Sequence, residues 1–301
     1  MPSFRSAAAQ ARHQVQLASV IGTAKPASES TLIHSLGTQR VYAVSLGLLG
    51  RWMRDRRIGT DIRQLTEDQA LQWLGERSEE VGQKCLDNDR LAITKTLGFT
   101  LPRIPSNHDS ERRLAEQARA YTAVQIARIL DHQSERNRFG TQLIATAGLR
   151  AHESLTLRPA LARPATADRE WSTERFVGLS SGQRYTVVGK GGLVREVLIP
   201  DLLAAHLEAH RLLRPMTVRD RQINYLSHYD IAGGNAWSKS FTEASERALG
   251  YSHGGHGLRH TYAQNRMNQL QGRDLSYEQA LAIVSQELGH FRPAITEVYL
   301  R

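Results

Sequence analysis

The 301-residue chain predicts a mainly helical α+β protein in which a small β-sheet accompanies two helical regions. Three observations predict it. Apolar residues recur at helical spacing through most of the sequence. One segment near residue 190 switches to β-branched runs around a glycine turn. The stretch Thr100-Leu-Pro-Arg-Ile-Pro-Ser-Asn-His108, with two prolines and a polar end, separates the helical regions.

Residues 1–30 are rich in Ala, Gln and Ser with Gly22 and Pro26 among them, which reads as a flexible N-terminal arm, although Ala7 to Leu17 has the composition of a short helix. From Arg40 to Arg56, the residues Val41, Val44, Leu48, Leu49, Trp52 and Met53 fall on a helical period. Thr66-x-x-Gln69 is a capping box ahead of Ala70, Leu71, Trp73 and Leu74. A third helix covers Asp89 to Leu97 and stops at Gly98. These helices make residues 31–107 one domain and leave 108–301 as a second. There, Glu111 to His132 and Phe139 to Ala147 read as helices, the latter running into Gly148-Leu149-Arg150. Tyr185-Thr-Val-Val188 and Leu193 to Ile199 are joined by Gly189-Lys190-Gly191-Gly192, a hairpin signal. Helical patterns return at 202–213, 240–249, 258–270 and 277–288, so one small sheet is expected.

Composition narrows the partner. The chain has 39 Lys+Arg against 30 Asp+Glu, a balance that suits a polyanion. Only five of the 39 are lysines, and the excess is spread over both halves. No apolar run is long enough for a membrane span, and no secretory leader is evident, so nucleic acid is favoured over a membrane surface. Cys85 is the sole cysteine, which excludes an internal disulfide and a Cys-based zinc cluster, and fits a reducing cytoplasm.

The chemistry-bearing residues lie in the second domain. In order they are Arg150 after Gly148-Leu149, Lys190 in the hairpin tip, His256-Gly257-Leu258-Arg259-His260, His290 closing Leu288-Gly289-His290, and Tyr299 nine residues later. Cleaving a phosphodiester without a metal requires charge stabilisation at the non-bridging oxygens, an in-line nucleophile and a proton for the leaving oxygen. Guanidinium is a natural clamp, because its planar fork bonds two phosphate oxygens and stays charged. A lysine on a mobile tip suits a general acid, imidazoles can take or buffer a proton, and a phenol can be the nucleophile if its surroundings promote it. The turn at Lys190 lacks the spacing of a nucleotide phosphate loop. His253, His256 and His260 have spacings that suit zinc, but Arg259 interrupts them, so no metal is expected.

The order Arg, Lys, His-x-x-Arg, His, Tyr resembles the tyrosine recombinase, or phage-integrase, family, and in particular integrases of mobile elements. The resemblance spans about residues 35–301 and is strongest from Gly148 onward. It implies a helical core-binding domain that helps clamp DNA, followed by a catalytic domain. It also implies catalytic roles for Arg150, Lys190, His256, Arg259, His290 and the nucleophile Tyr299, with Glu153 orienting the clamp and His260 a supporting hydrogen-bonding residue. The implied reaction cuts and rejoins duplex DNA through a 3′-phosphotyrosyl linkage with no cofactor. Four protomers would act on paired sites, with DNA-bending or directionality factors as further partners. The alternatives are a type IB topoisomerase and a DNA-binding accessory protein without activity. Two departures stand out. Residues 269–276 lengthen the interval from Arg259 to His290, and only Leu300 and Arg301 follow Tyr299. The second departure leads us to expect a free monomer that assembles on DNA.

Overall fold

The computed structural model describes residues 6–21, 32–108, 118–179 and 181–301, which fall into two compact units divided near residue 116. The first unit is helical: α1 (Ala7–Leu17), α2 (Leu36–Asp55), α3 (Glu67–Glu80) and α4 (Gln83–Leu97). The capping box at Thr66 is formed with both hydrogen bonds in place. Gly98 takes the left-handed conformation (φ 83°) that ends α4. The core joins Leu46, Leu49 and Met53 of α2 to Trp73, Leu74, Leu86 and Ile93.

One expectation for this unit is corrected. Residues 6–21 are not an arm: α1 is capped by the Ser6 hydroxyl, and it buries Ala11 and Val15 in the same core. The short helix read at Ala7 to Leu17 is there, and its small residues explain why hydrophobicity did not reveal its place in the core. Ala7 and Ala8 lie against Gly47 and Gly50 of α2, where backbones meet closely without large apolar side chains. Most of the remainder of the expected arm, 1–5 and 22–30, lies outside the described residues.

The second unit opens with α5 (Ala123–Asp131) and α6 (Glu135–Ala147). The expected helix from Glu111 is shorter at its start, because 118–122 is irregular and Thr122 caps α5; residues 109–117 lie outside the described set. A three-stranded antiparallel sheet follows: β1 (Arg158–Pro159), β2 (Gly182–Val188) and β3 (Val194–Pro200). The β2–β3 turn holds Lys190, with Gly191 and Gly192 both at positive φ, as the glycine signal requires. Beyond it come α7 (Asp201–Ala209), β4 (Arg211–Asp220), β5 (Ile223–Tyr229), α8 (Gly234–Leu249), α9 (Gly257–Gln271), α10 (Tyr277–Glu287) and the short α11 (Pro293–Glu297).

The β4–β5 hairpin is a second sheet where the sequence predicts helix running on to Leu213 and no further strands. Two causes hid it. Most of β4 is exposed, so its residues show no alternation of apolar and polar types. The two-residue turn is built on Arg221 (φ 47°) and Gln222 (φ 71°) rather than on the Asn-Gly or Asp-Gly that such a turn favours. Among the described residues, no helix is long and apolar enough to cross a membrane.

Candidate active site

Seven of the eight residues singled out by sequence meet at one place in the second unit. Tyr299, in a final helical turn after α11, is largely buried. The rings of His256, His260 and His290 lie around it, with centroids 5.3, 4.8 and 5.4 Å from its own. The Arg259 guanidinium stands over the phenol ring at 5.5 Å. His290 accepts at Nε2 from two guanidiniums, Nη2 of Arg150 at 3.1 Å and Nη2 of Arg259 at 3.3 Å. Two donors at Nε2 require its lone pair there, so the ring proton sits on Nδ1 and is donated to the Thr296 hydroxyl at 3.0 Å.

Local structure explains each placement. Gly148 ends α6 in the left-handed region (φ 57°), and a Cβ there would lie 2.7 Å from the Tyr262 ring, so only glycine allows the chain to turn and present Arg150. Gly289 (φ 73°) does the same for His290, and a Cβ at that position would meet the Arg195 side chain at 2.8 Å. His256 is the N-cap of α9, and its ring is open to solvent on one side; Arg259 and His260 follow on the buried first turn. His260 is hydrogen-bonded to the Tyr299 backbone, and Gln264 Nε2 donates to the Tyr299 carbonyl at 3.2 Å.

Arg259 differs from a solvated clamp. It is completely buried, with Nη1 donating to the Gly148 carbonyl at 2.5 Å and Nη2 donating to the Leu288 carbonyl. Among the described residues its Nε has no hydrogen-bond partner. Glu153 is also completely buried, where an exposed helical residue would be the ordinary expectation for a glutamate. Its carboxylate accepts from Arg150 twice, from the backbone N–H at 2.8 Å and from Nη1 at 2.7 Å. Burial pushes its pKa up, but Arg195, Arg259 and Arg150 outweigh this and hold it well below the usual carboxylate range.

The three histidines are neutral at pH 7. Burial, then Arg259 and Arg150, lowers His290 to about 3. Burial, then Arg259 and His260, lowers His256 to about 4, and burial with Arg119 lowers His260 to about 4. His253 stacks instead on Tyr121 and Tyr251, and the described residues contain no group of three His, Cys, Asp or Glu with the geometry of a metal site.

Lys190 is the exception to convergence. It is exposed on the β2–β3 turn, although the neighbouring Gly189 borders Glu153 and Arg150. Sequence reading missed Arg195, Glu287 and Arg266. Glu287 accepts from both Nε and Nη2 of Arg266, at 2.9 and 2.7 Å, and from the Tyr262 hydroxyl at 2.9 Å. A signal for Arg195 existed: it shares the inward face of β3 with Val197 and Ile199.

No protein-family profile matches the sequence, and no curated protein does. Solved structures do. XerH site-specific recombinase bound to difH before cleavage is 16% identical with a TM-score of 0.55, covering 100% of this chain and 94% of that one. XerH on palindromic difH after cleavage is 17% identical with a TM-score of 0.57, covering 89% and 77%. This chain has the tyrosine-recombinase fold. A lambda integrase tetramer bound to a Holliday junction shares that fold at 13% identity and a TM-score of 0.52, covering 97% and 76%. At such identities the fold is what the likeness carries, and the chemistry rests on the residues themselves.

Proposed function

We propose that this chain is a site-specific tyrosine recombinase that breaks and rejoins duplex DNA, acting in the cytoplasm to move a mobile element. The observation that carries the reading is the buried Tyr299 ring enclosed by Arg259, His256 and His290, with Arg150 converging on the same His290 nitrogen. A scissile phosphate there would meet the partly exposed Arg150 guanidinium directly and the field of the buried Arg259, whose terminal nitrogens already donate to the Gly148 and Leu288 carbonyls. Neutral His256 takes the phenol proton as Tyr299 Oη attacks phosphorus. The bond from phosphorus to the 5′ oxygen breaks, and the Lys190 ammonium gives that oxygen its proton. The phosphodiester is replaced by a phosphotyrosyl ester, so resealing by the reverse steps requires no external energy source.

The net positive charge, and the DNA held by the XerH and lambda integrase structures, support duplex DNA as the partner. We propose a tetramer on paired sites, as the lambda integrase tetramer is on its junction. A nicked substrate carrying the element's own site tests the reading. Wild-type protein should form an SDS-stable adduct in excess EDTA, and Tyr299→Phe should form none while retaining DNA binding. An adduct in Tyr299→Phe, or one that requires a divalent ion, rejects the reading.

A further inference from the structure

Arg195 is a charged residue where β3 calls for an aliphatic one. Its side chain is completely buried, and its two terminal nitrogens reach three sites. Nη1 donates to the Glu287 carbonyl at 2.6 Å, while Nη2 donates to the Gly148 carbonyl at 3.2 Å and to Glu153 Oε2 at 2.7 Å. The Glu153 carboxylate also binds Arg150 through Oε1 and stands 3.9 Å from Arg259. A carboxylate so close to a phosphate clamp poses an electrostatic problem. It orients Arg150, yet by itself it would cancel much of the charge that Arg150 and Arg259 must present to an oxyanion.

We propose that Arg195 is a positioning residue that serves as the dedicated counter-ion of Glu153, so that the carboxylate can aim Arg150 without discharging the clamp. Three guanidiniums then surround one carboxylate, which leaves a net positive charge around Glu153. The inference rests on the phosphotyrosyl reading above. It differs from a packing role in one respect: it predicts that loss of Arg195 matters in proportion to the charge on the substrate.

The test uses the full-length protein and two nicked substrates, one with an ordinary scissile phosphate and one with an uncharged methylphosphonate at that position. Arg195→Met should slow adduct formation on the phosphate by on the order of 10²-fold, and on the methylphosphonate by far less. Removing the carboxylate as well, in Glu153→Gln/Arg195→Met, should return the ratio of the two rates to within about threefold of wild type, because nothing is left to neutralise the clamp. Thermal melting reports folding of each variant. If Arg195→Met does not fold, the double variant carries the test through the same ratio. Equal losses on both substrates, no loss in Arg195→Met, or a double variant still selectively impaired on the phosphate would overturn the proposal. Absence of any Tyr299 adduct from the wild-type protein would instead reject the phosphotyrosyl reading itself.

Discussion

The two units place charge in opposite ways. The helical unit buries Leu46, Leu49, Trp73, Leu74 and their neighbours, and its only buried Asp, Glu, His, Lys or Arg among the described residues is Asp89, paired with Arg77 at 3.2 Å. The second unit buries Glu153, Arg195, Arg259, Arg266, Glu287, His260 and His290, most of them within two linked networks. Charged groups removed from water lose hydration that pairing only partly restores, so such a cluster is a poor way to stabilise a fold. In the proposed reaction it would keep positive charge fixed near the phosphate before the oxyanion develops. The contrast is the one expected if the second unit gives up stability for the chemistry proposed above.

The largest expected effect separates the units directly. Glu153→Ala leaves Arg195 and Arg259 buried without their carboxylate and should cost about 3–5 kcal/mol in the second unit. Leu46→Ala, a cavity in the apolar core, should cost about 2–5 kcal/mol in the first. Hydrogen exchange read by mass spectrometry should show each loss confined to its own unit. If Glu153→Ala proves as mild as a surface change, the buried charge is not organised as described.

A smaller effect follows from the histidines. His256, His260 and His290 have folded pKa values of about 4, 4 and 3, below the ordinary value near 6.5. The unfolded chain therefore binds more protons than the folded one between those limits, and their contribution is complete above pH 6.5 and declines as pH falls toward 4. The melting temperature should drop between pH 7 and pH 5, and His290→Gln should shrink that drop. A wild-type melt unchanged over this range would contradict neutral buried imidazoles.

The smallest effect belongs to the first unit. Thr66→Ala removes the cap of α3 and should cost about 1 kcal/mol by denaturant unfolding, with no change in adduct formation once the protein is folded. A large loss of cleavage in that variant would blur the division of labour between the units.

Much of this could be read from the chain because it depends on local rules. The capping box at Thr66, the stop at Gly98 and the glycine turn at Lys190 are short-range signals, and each forms as expected. Tyr299, His290, His256 and Arg259 were singled out by order and spacing, and the fold brings them within contact of one another. What escaped depends on distant partners or weak patterns. Arg195 and Glu287 gain their meaning from hydrogen bonds across 42 and 92 residues, which no local pattern records. The packing of α1 into the core is hidden by its small residues, and the β4–β5 hairpin by exposure and an unusual turn.

The central claim is that Tyr299 becomes covalently joined to the 3′ side of a broken DNA strand. The most direct measurement traps the adduct on a nicked site, digests protein and DNA, and maps the modified peptide by mass spectrometry. The account predicts a C-terminal peptide whose Tyr299 carries a nucleotide through its 3′ phosphate. A nucleotide on another residue, or a linkage through a 5′ phosphate, would contradict it.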